Sequence, residues 1–110
     1  KELIKNISGY KFSDFQTRNA ISSLYHSLNY TTEPHGAVAY LGLKKFIENK
    51  NSDYLGVFLG TAHPIKFREV VEKETKTIIK LPTQLKGILS KKKKALNVKN
   101  FQEFKSILLN

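Results

Sequence analysis

The feature that most constrains this chain is an uncharged run of strand length, Tyr54-Leu55-Gly56-Val57-Phe58-Leu59, which ends on Gly60-Thr61-Ala62-His63-Pro64 and leads into a stretch carrying Phe67, Val70 and Val71. A run that is apolar at successive positions suits a strand covered on both faces, the usual case in parallel sheets packed between helices. Strand, small-residue turn and helix together make a β-α unit. The predicted fold class is therefore α/β: a helix-rich chain with a central strand near 54–59, helices after it, and one or two short extra strands. Tyr10-Lys11-Phe12 is the candidate for an edge strand.

Caps and periodicity place the helices. Ser13-Asp14-Phe15-Gln16 has the spacing in which hydroxyl and amide satisfy each other's unpaired backbone donors at a helix start. Ile21, Leu24, Tyr25 and Leu28 then recur as a one-sided stripe. Glu33-Pro34 opens a second helix, with proline at a position that needs no N–H and a carboxylate at the positive end of the dipole. From Gly36 to Leu43 that helix is apolar or small on every side, which predicts burial all round. Asn49 to Asp53 forms a polar turn. Pro82, Leu85, Ile88 and Leu89 predict a further amphipathic helix. Residues 90–99, with the run Lys91-Lys92-Lys93-Lys94, read as a basic connector, and 100–109 as a terminal helix capped by Asn100 and carrying Phe101, Phe104 and Leu108. The 110 residues are expected to form one domain or a piece of one.

Composition removes several classes of function. There is no cysteine, so a disulfide framework, a thiolate metal site and a cysteine nucleophile are excluded, and a reducing, cytoplasmic setting is expected. No apolar run reaches bilayer length, and no basic-apolar-small leader stands at the front, so a soluble chain is expected. The sequence opens at Lys1 without methionine, which predicts a processed protein or a piece of a longer one. The Asn6-Ile7-Ser8 and Asn29-Tyr30-Thr31 sequons are read as chance matches. The formal net charge is +10, but all except Arg18 and Arg68 of the 19 basic residues are lysine. Base readout and stacked single-strand grooves use arginine and interleaved aromatics, so nucleic acid is not the expected partner. The alternative kept open is a small basic module that holds polyanions through Lys91 to Lys94.

Two places have the right residues for chemistry. The corner Gly60-Thr61-Ala62-His63-Pro64 falls where open α/β sheets take their ligands, beyond the carboxyl end of a strand. Its small residues leave space, and Thr61 and His63 offer a hydroxyl and an imidazole; equally, Thr61 is a candidate to do no more than cap the next helix. Glu33-Pro34-His35-Gly36-Ala37 sets a carboxylate and an imidazole at the start of the apolar helix. The structural alternative there is a carboxylate serving the dipole and a core histidine with one hydrogen bond. His26, His35 and His63 are too scattered for a metal site, and none is expected.

The strings Glu33-Pro34-His35-Gly36-Ala37-Val38-Ala39-Tyr40 and Gly56-Val57-Phe58-Leu59-Gly60-Thr61-Ala62-His63-Pro64-Ile65-Lys66-Phe67, at this separation, closely resemble the carboxyl-terminal part of the threonine synthase family. The resemblance runs from about Ser13, through Asp14-Phe15-Gln16-Thr17-Arg18, to Leu81-Pro82, and fades in the lysine-rich tail. It implies a fragment of a fold-type-II enzyme that uses pyridoxal 5'-phosphate to convert O-phosphohomoserine and water into threonine and inorganic phosphate. By resemblance, Thr61 matches the residue whose hydroxyl faces the cofactor's pyridine nitrogen, flanked by Gly60 and Ala62. Glu33 and His35 match a pocket element, and His63 either orients the turn or touches substrate. The family's Schiff-base lysine and phosphate cradle lie in earlier motifs that have no match here, so the piece alone is expected to be inactive and free of bound cofactor. Its expected partners are the remainder of the enzyme chain and, through an uncovered 54–59 edge, other copies of itself.

Overall fold

A computed structural model describes residues 3–50 and 54–109 and divides into two compact units, Lys1–Lys80 and Leu81–Asn110. The first unit holds α1 (Leu3–Asn6), α2 (Asp14–Leu28), α3 (Pro34–Glu48), a 3₁₀ turn (Pro64–Phe67) and α4 (Arg68–Thr75). The second holds α5 (Thr83–Leu89) and α6 (Phe101–Leu109).

The start of α2 forms as its sequence requires. Ser13 Oγ accepts from the Gln16 amide at 3.3 Å, and the Ser13 amide donates to Gln16 Oε1 at 2.9 Å. At the other end Asn29 adopts the left-handed region (φ 51°), where its short polar side chain is tolerated, and the Tyr30 amide reaches back to the Leu24 carbonyl at 3.2 Å. The buried stripe is Thr17, Ala20, Ile21 and Leu24. It sits one turn earlier than the predicted stripe, so Leu28 is exposed. The reason is contact distance: α2 packs against both α3 and α4, and small side chains let helix axes come close where an all-leucine stripe would hold them apart.

Ala20, Ile21 and Ala37 form the centre of the core, with Tyr40, Leu41 and Val70 packed around it. Only Gly36 and Ala37 of α3 are fully buried, so the expectation of burial on every side fails beyond the first turn. Gly36 is required there because a β-carbon would run into the Thr32 hydroxyl. Val71 and Thr75 bury the inner face of α4, and Glu72 Oε1 ties the chain after it back by accepting from Arg68 Nε and from the Ile79 amide, each at 2.8 Å.

No strand is present among the described residues, which corrects both the central strand at 54–59 and the edge strand at 10–12. A strand is a paired object. Its amide and carbonyl groups need a ladder, and among the described residues none forms. Residues 54–60 nevertheless keep the two-residue alternation of a strand. Phe58 turns inward between the Tyr30 and Tyr40 rings, and Gly56 lies so close to Leu43 and Ile47 that a β-carbon would come within 2.9 Å of both. Leu55, Val57 and Leu59 turn outward, 97%, 76% and 74% exposed. Only Phe58 of this segment is half-buried, where the sequence predicts cover on two faces. Of the polar turn expected over 49–53, Asn49 ends α3, and 51–53 lie outside the described residues.

In the second unit α5 follows Pro82 as predicted, although no side chain caps it. Lys91 to Lys94 are exposed in a stretch without regular structure. Asn100 Oδ1 accepts from the Glu103 amide at 2.9 Å and starts α6, whose Phe101, Phe104 and Leu108 are all exposed. Among the described residues no helix is long and apolar enough to cross a membrane.

Candidate functional site

Glu33 is the anchor of the first motif. Glu33 as a whole is 1% exposed, and its carboxylate caps α3: Oε1 accepts from the Gly36 amide at 2.9 Å, and Oε2 accepts from the His35 amide at 2.9 Å and from His35 Nδ1–H at 2.7 Å. Burial pushes its pKa upward. Hydrogen bonds from the His35 amide, the His35 ring and the Gly36 amide, with the charge of His35, outweigh burial and hold it below the ordinary value of 4.5. An ionised carboxylate at a helix amino terminus with every donor in place is a fixed negative charge rather than a proton carrier.

His35 is not a core histidine. Its side chain is 64% exposed, held by Glu33 on one side and by an edge contact with the Phe67 ring, 5.1 Å between centroids, on the other. That contact brings the two sequence motifs together, because Phe67 closes the 3₁₀ turn that follows Gly60-Thr61-Ala62.

At the turn itself, His63 rather than Thr61 does the capping. His63 Nδ1 accepts from the Ile65 amide at 3.1 Å, and the 3₁₀ turn starts there with Pro64 in its first position. Nδ1 accepts through its lone pair, so in this hydrogen bond the ring's proton stands on Nε2. Thr61 is exposed, and its hydroxyl makes no hydrogen bond to another described residue. Ala62 is half-buried beside it. Gly60 opens the space: a β-carbon placed there would have only the Tyr30 hydroxyl within 4 Å, at 3.9 Å. Gly60, Thr61 and Ala62 thus form a small-residue shelf, open at Gly60 and Thr61, that carries one hydroxyl without a hydrogen bond to the protein. Tyr30 is the neighbour that sequence reasoning missed. The available signal was its place just after Asn29, the residue type that most often follows glycine in ending a helix.

No three histidine, cysteine, aspartate or glutamate side chains group to hold a metal among the described residues.

Comparison with known proteins gives the class to which the chain belongs. Residues 36–107 match the family model described as "Threonine synthase, C-terminal", which covers well over half of the chain, and the chain belongs to that family. The match passes through Lys91 to Lys94, well beyond Pro82, where the motifs legible by eye stop. Among individual relatives, the chain is 34% identical over 107 residues to threonine synthase of Buchnera aphidicola subsp. Baizongia pistaciae, covering 96% of this chain and 24% of that protein. It is 38% identical over 84 residues to the enzyme of Buchnera aphidicola subsp. Acyrthosiphon pisum, covering 76% of this chain and 19% of that one. To Escherichia coli threonine synthase it is 42% identical over 77 residues, covering 70% and 17%. The chain thus spans a quarter or less of these relatives. No solved structure matches.

Proposed function

We propose that this chain is the carboxyl-terminal part of a pyridoxal-phosphate-dependent threonine synthase, a lyase of cytoplasmic amino-acid biosynthesis that converts O-phospho-L-homoserine and water to L-threonine and phosphate. The observation that carries the reading is the division of labour at the turn. His63 takes the cap, Gly60 and Ala62 leave the space, and the Thr61 hydroxyl is left over, on the string of residues most specific to the family.

In this reading Thr61 Oγ meets the pyridine nitrogen of the cofactor, which supplies an electron sink when bound. A neutral hydroxyl orients the ring without holding a proton on its nitrogen as a carboxylate would. Glu33 fixes the first turn of α3 and orients His35, and His35 and Phe67 couple that turn to the Thr61 shelf. The lysine that binds the cofactor, the cradle for its phosphate and the sheet partners of 54–59 come from the remainder of a fold-type-II enzyme. Separated from them, the chain is inactive, and its uncovered 54–59 face drives self-association. The exposed lysine run, without arginine or aromatic neighbours, gives a polyanion-binding module less support.

The test is to recover the gene from which the sequence comes and assay its full product. Release of phosphate from O-phosphohomoserine with formation of threonine, absent from the 110-residue chain alone, is expected. A gene product without that activity, and without a lysine reducible by borohydride onto bound cofactor, contradicts the proposal.

A further inference from the structure

The Thr61 shelf is held from both sides, and the upstream hold is built from three rings. Phe58 meets Tyr30 edge-on, 6.1 Å between centroids with planes at 88°, and meets Tyr40 at 5.9 Å and 64°. Both lie within the roughly 4.5–7 Å range of favourable aromatic pairs. Each outer ring is fixed by a helix. Tyr40 stands on α3, seven residues after the Glu33 cap and on the same face. Tyr30 emerges from the end of α2, where its amide is bonded to the Leu24 carbonyl and Asn29 has turned the chain. Phe58 is thereby the only residue from 54 to 60 with a half-buried side chain between two helices, while its neighbours Val57 and Leu59 face out.

Thr61 follows Phe58 by three residues, so its Cα can stand no more than about 11 Å from that of Phe58. Downstream, the His63 cap and the contact of Phe67 with His35 fix the other end of the turn. The Tyr30 hydroxyl reaches the vicinity of Gly60, but the pairing with Phe58 is made by the rings.

We infer that Tyr30 and Phe58 are positioning residues for the Gly60-Thr61-Ala62 shelf: Tyr30 and Tyr40 clamp Phe58, and the clamp sets where the Thr61 hydroxyl stands. The part of this that concerns the cofactor rests on the function proposed above. The clamp itself does not.

Two measurements keep them apart. In the 110-residue chain, backbone order parameters from nitrogen relaxation at Gly60, Thr61 and Ala62 are expected near 0.85 for the natural sequence and for Tyr30→Phe, and below about 0.6 for Tyr30→Ala and Phe58→Leu. The order parameters of α2 and α3 are expected to stay unchanged in all four, which separates loss of the clamp from loss of fold. In the full-length, cofactor-loaded product of the gene, the absorption band of the bound cofactor is expected to shift in Tyr30→Ala and Phe58→Leu, as in Thr61→Val, and to be restored in Tyr30→Phe. Order parameters unaffected by Tyr30→Ala and Phe58→Leu overturn the clamp and leave the proposed function standing. A Tyr30→Phe chain as disordered as Tyr30→Ala overturns positioning by the ring. A band that shifts with none of the variants, Thr61→Val included, overturns the assignment of Thr61 and with it the clamp's link to the cofactor, although the order parameters still report the clamp.

Discussion

The α2–α3 pair and the 54–60 segment are both rich in apolar residues, yet the first makes a core of its own and the second leaves most of its surface open. The helices satisfy their backbone within themselves and end on caps supplied by neighbours in sequence, Ser13 with Gln16 at one start and Glu33 at the other. Residues 54–60 offer a strand's alternation, but nothing beside them completes a ladder. Helical structure is legible and stable locally; a strand exists only with its partner.

The sharpest way to break this comparison is to remove one apolar side chain from each region. Ile21 is 0% exposed between α2, α3 and α4, so Ile21→Ala is expected to cost about 2–5 kcal/mol, enough to unfold a small unit. Leu55→Ser is expected to stay within about 0.5 kcal/mol, because Leu55 has little contact to lose. Urea unfolding followed by circular dichroism measures both. Comparable losses at the two sites would show that 54–60 is part of the core.

The Glu33 cap sharpens the helical side. Replacing Glu33 with Gln removes the charge and leaves a donor facing other donors, an expected loss of about 1–3 kcal/mol at neutral pH. Because folding lowers the Glu33 pKa below 4.5, its contribution is present above the ordinary carboxylate range and is lost as the pH falls below that value toward the folded pKa. The gap in stability between the natural chain and Glu33→Gln is therefore expected to narrow on acidification below about pH 4.5. A gap that grew as the pH fell below about 4.5 would refute the assignment of the buried charge to this cap. A smaller effect than at Glu33 is expected at Gly56. A β-carbon there meets only the flexible tips of Leu43 and Ile47, so Gly56→Ala is expected to cost about 1 kcal/mol or less and to loosen 54–60 from α3 without unfolding it. Loss of the Phe58 to Tyr40 nuclear Overhauser contacts, with the helices intact, checks this.

The same contrast explains what could be read from the residues. The helix starts at Ser13, Glu33-Pro34 and Asn100 were legible because a cap is decided within four residues. Both motifs of the candidate site were legible as strings, and their meeting through His35 and Phe67 was not, since 32 positions of chain separate those rings. The burial of Thr17 and Ala20 in place of Leu28 escaped a reading based on apolar size, because close helix contact selects small side chains. His63 displaced Thr61 as the cap for a stereochemical reason: Nδ1 of a histidine just before Pro64 reaches the Ile65 amide. The strand was misread because its partners are not encoded in its own sequence.

The central claim is that Thr61 is free of structural duty so that its hydroxyl can serve a ligand. Thr61→Val preserves volume and branching and removes only the hydroxyl. In the full-length product of the gene, it is expected to lower turnover by roughly 10- to 100-fold and to alter the spectrum of bound cofactor, while stability stays within about 0.5 kcal/mol of the natural protein. Unchanged turnover and spectrum, or a loss of stability large enough to account for the lost activity, would contradict it and return Thr61 to the role of a turn residue.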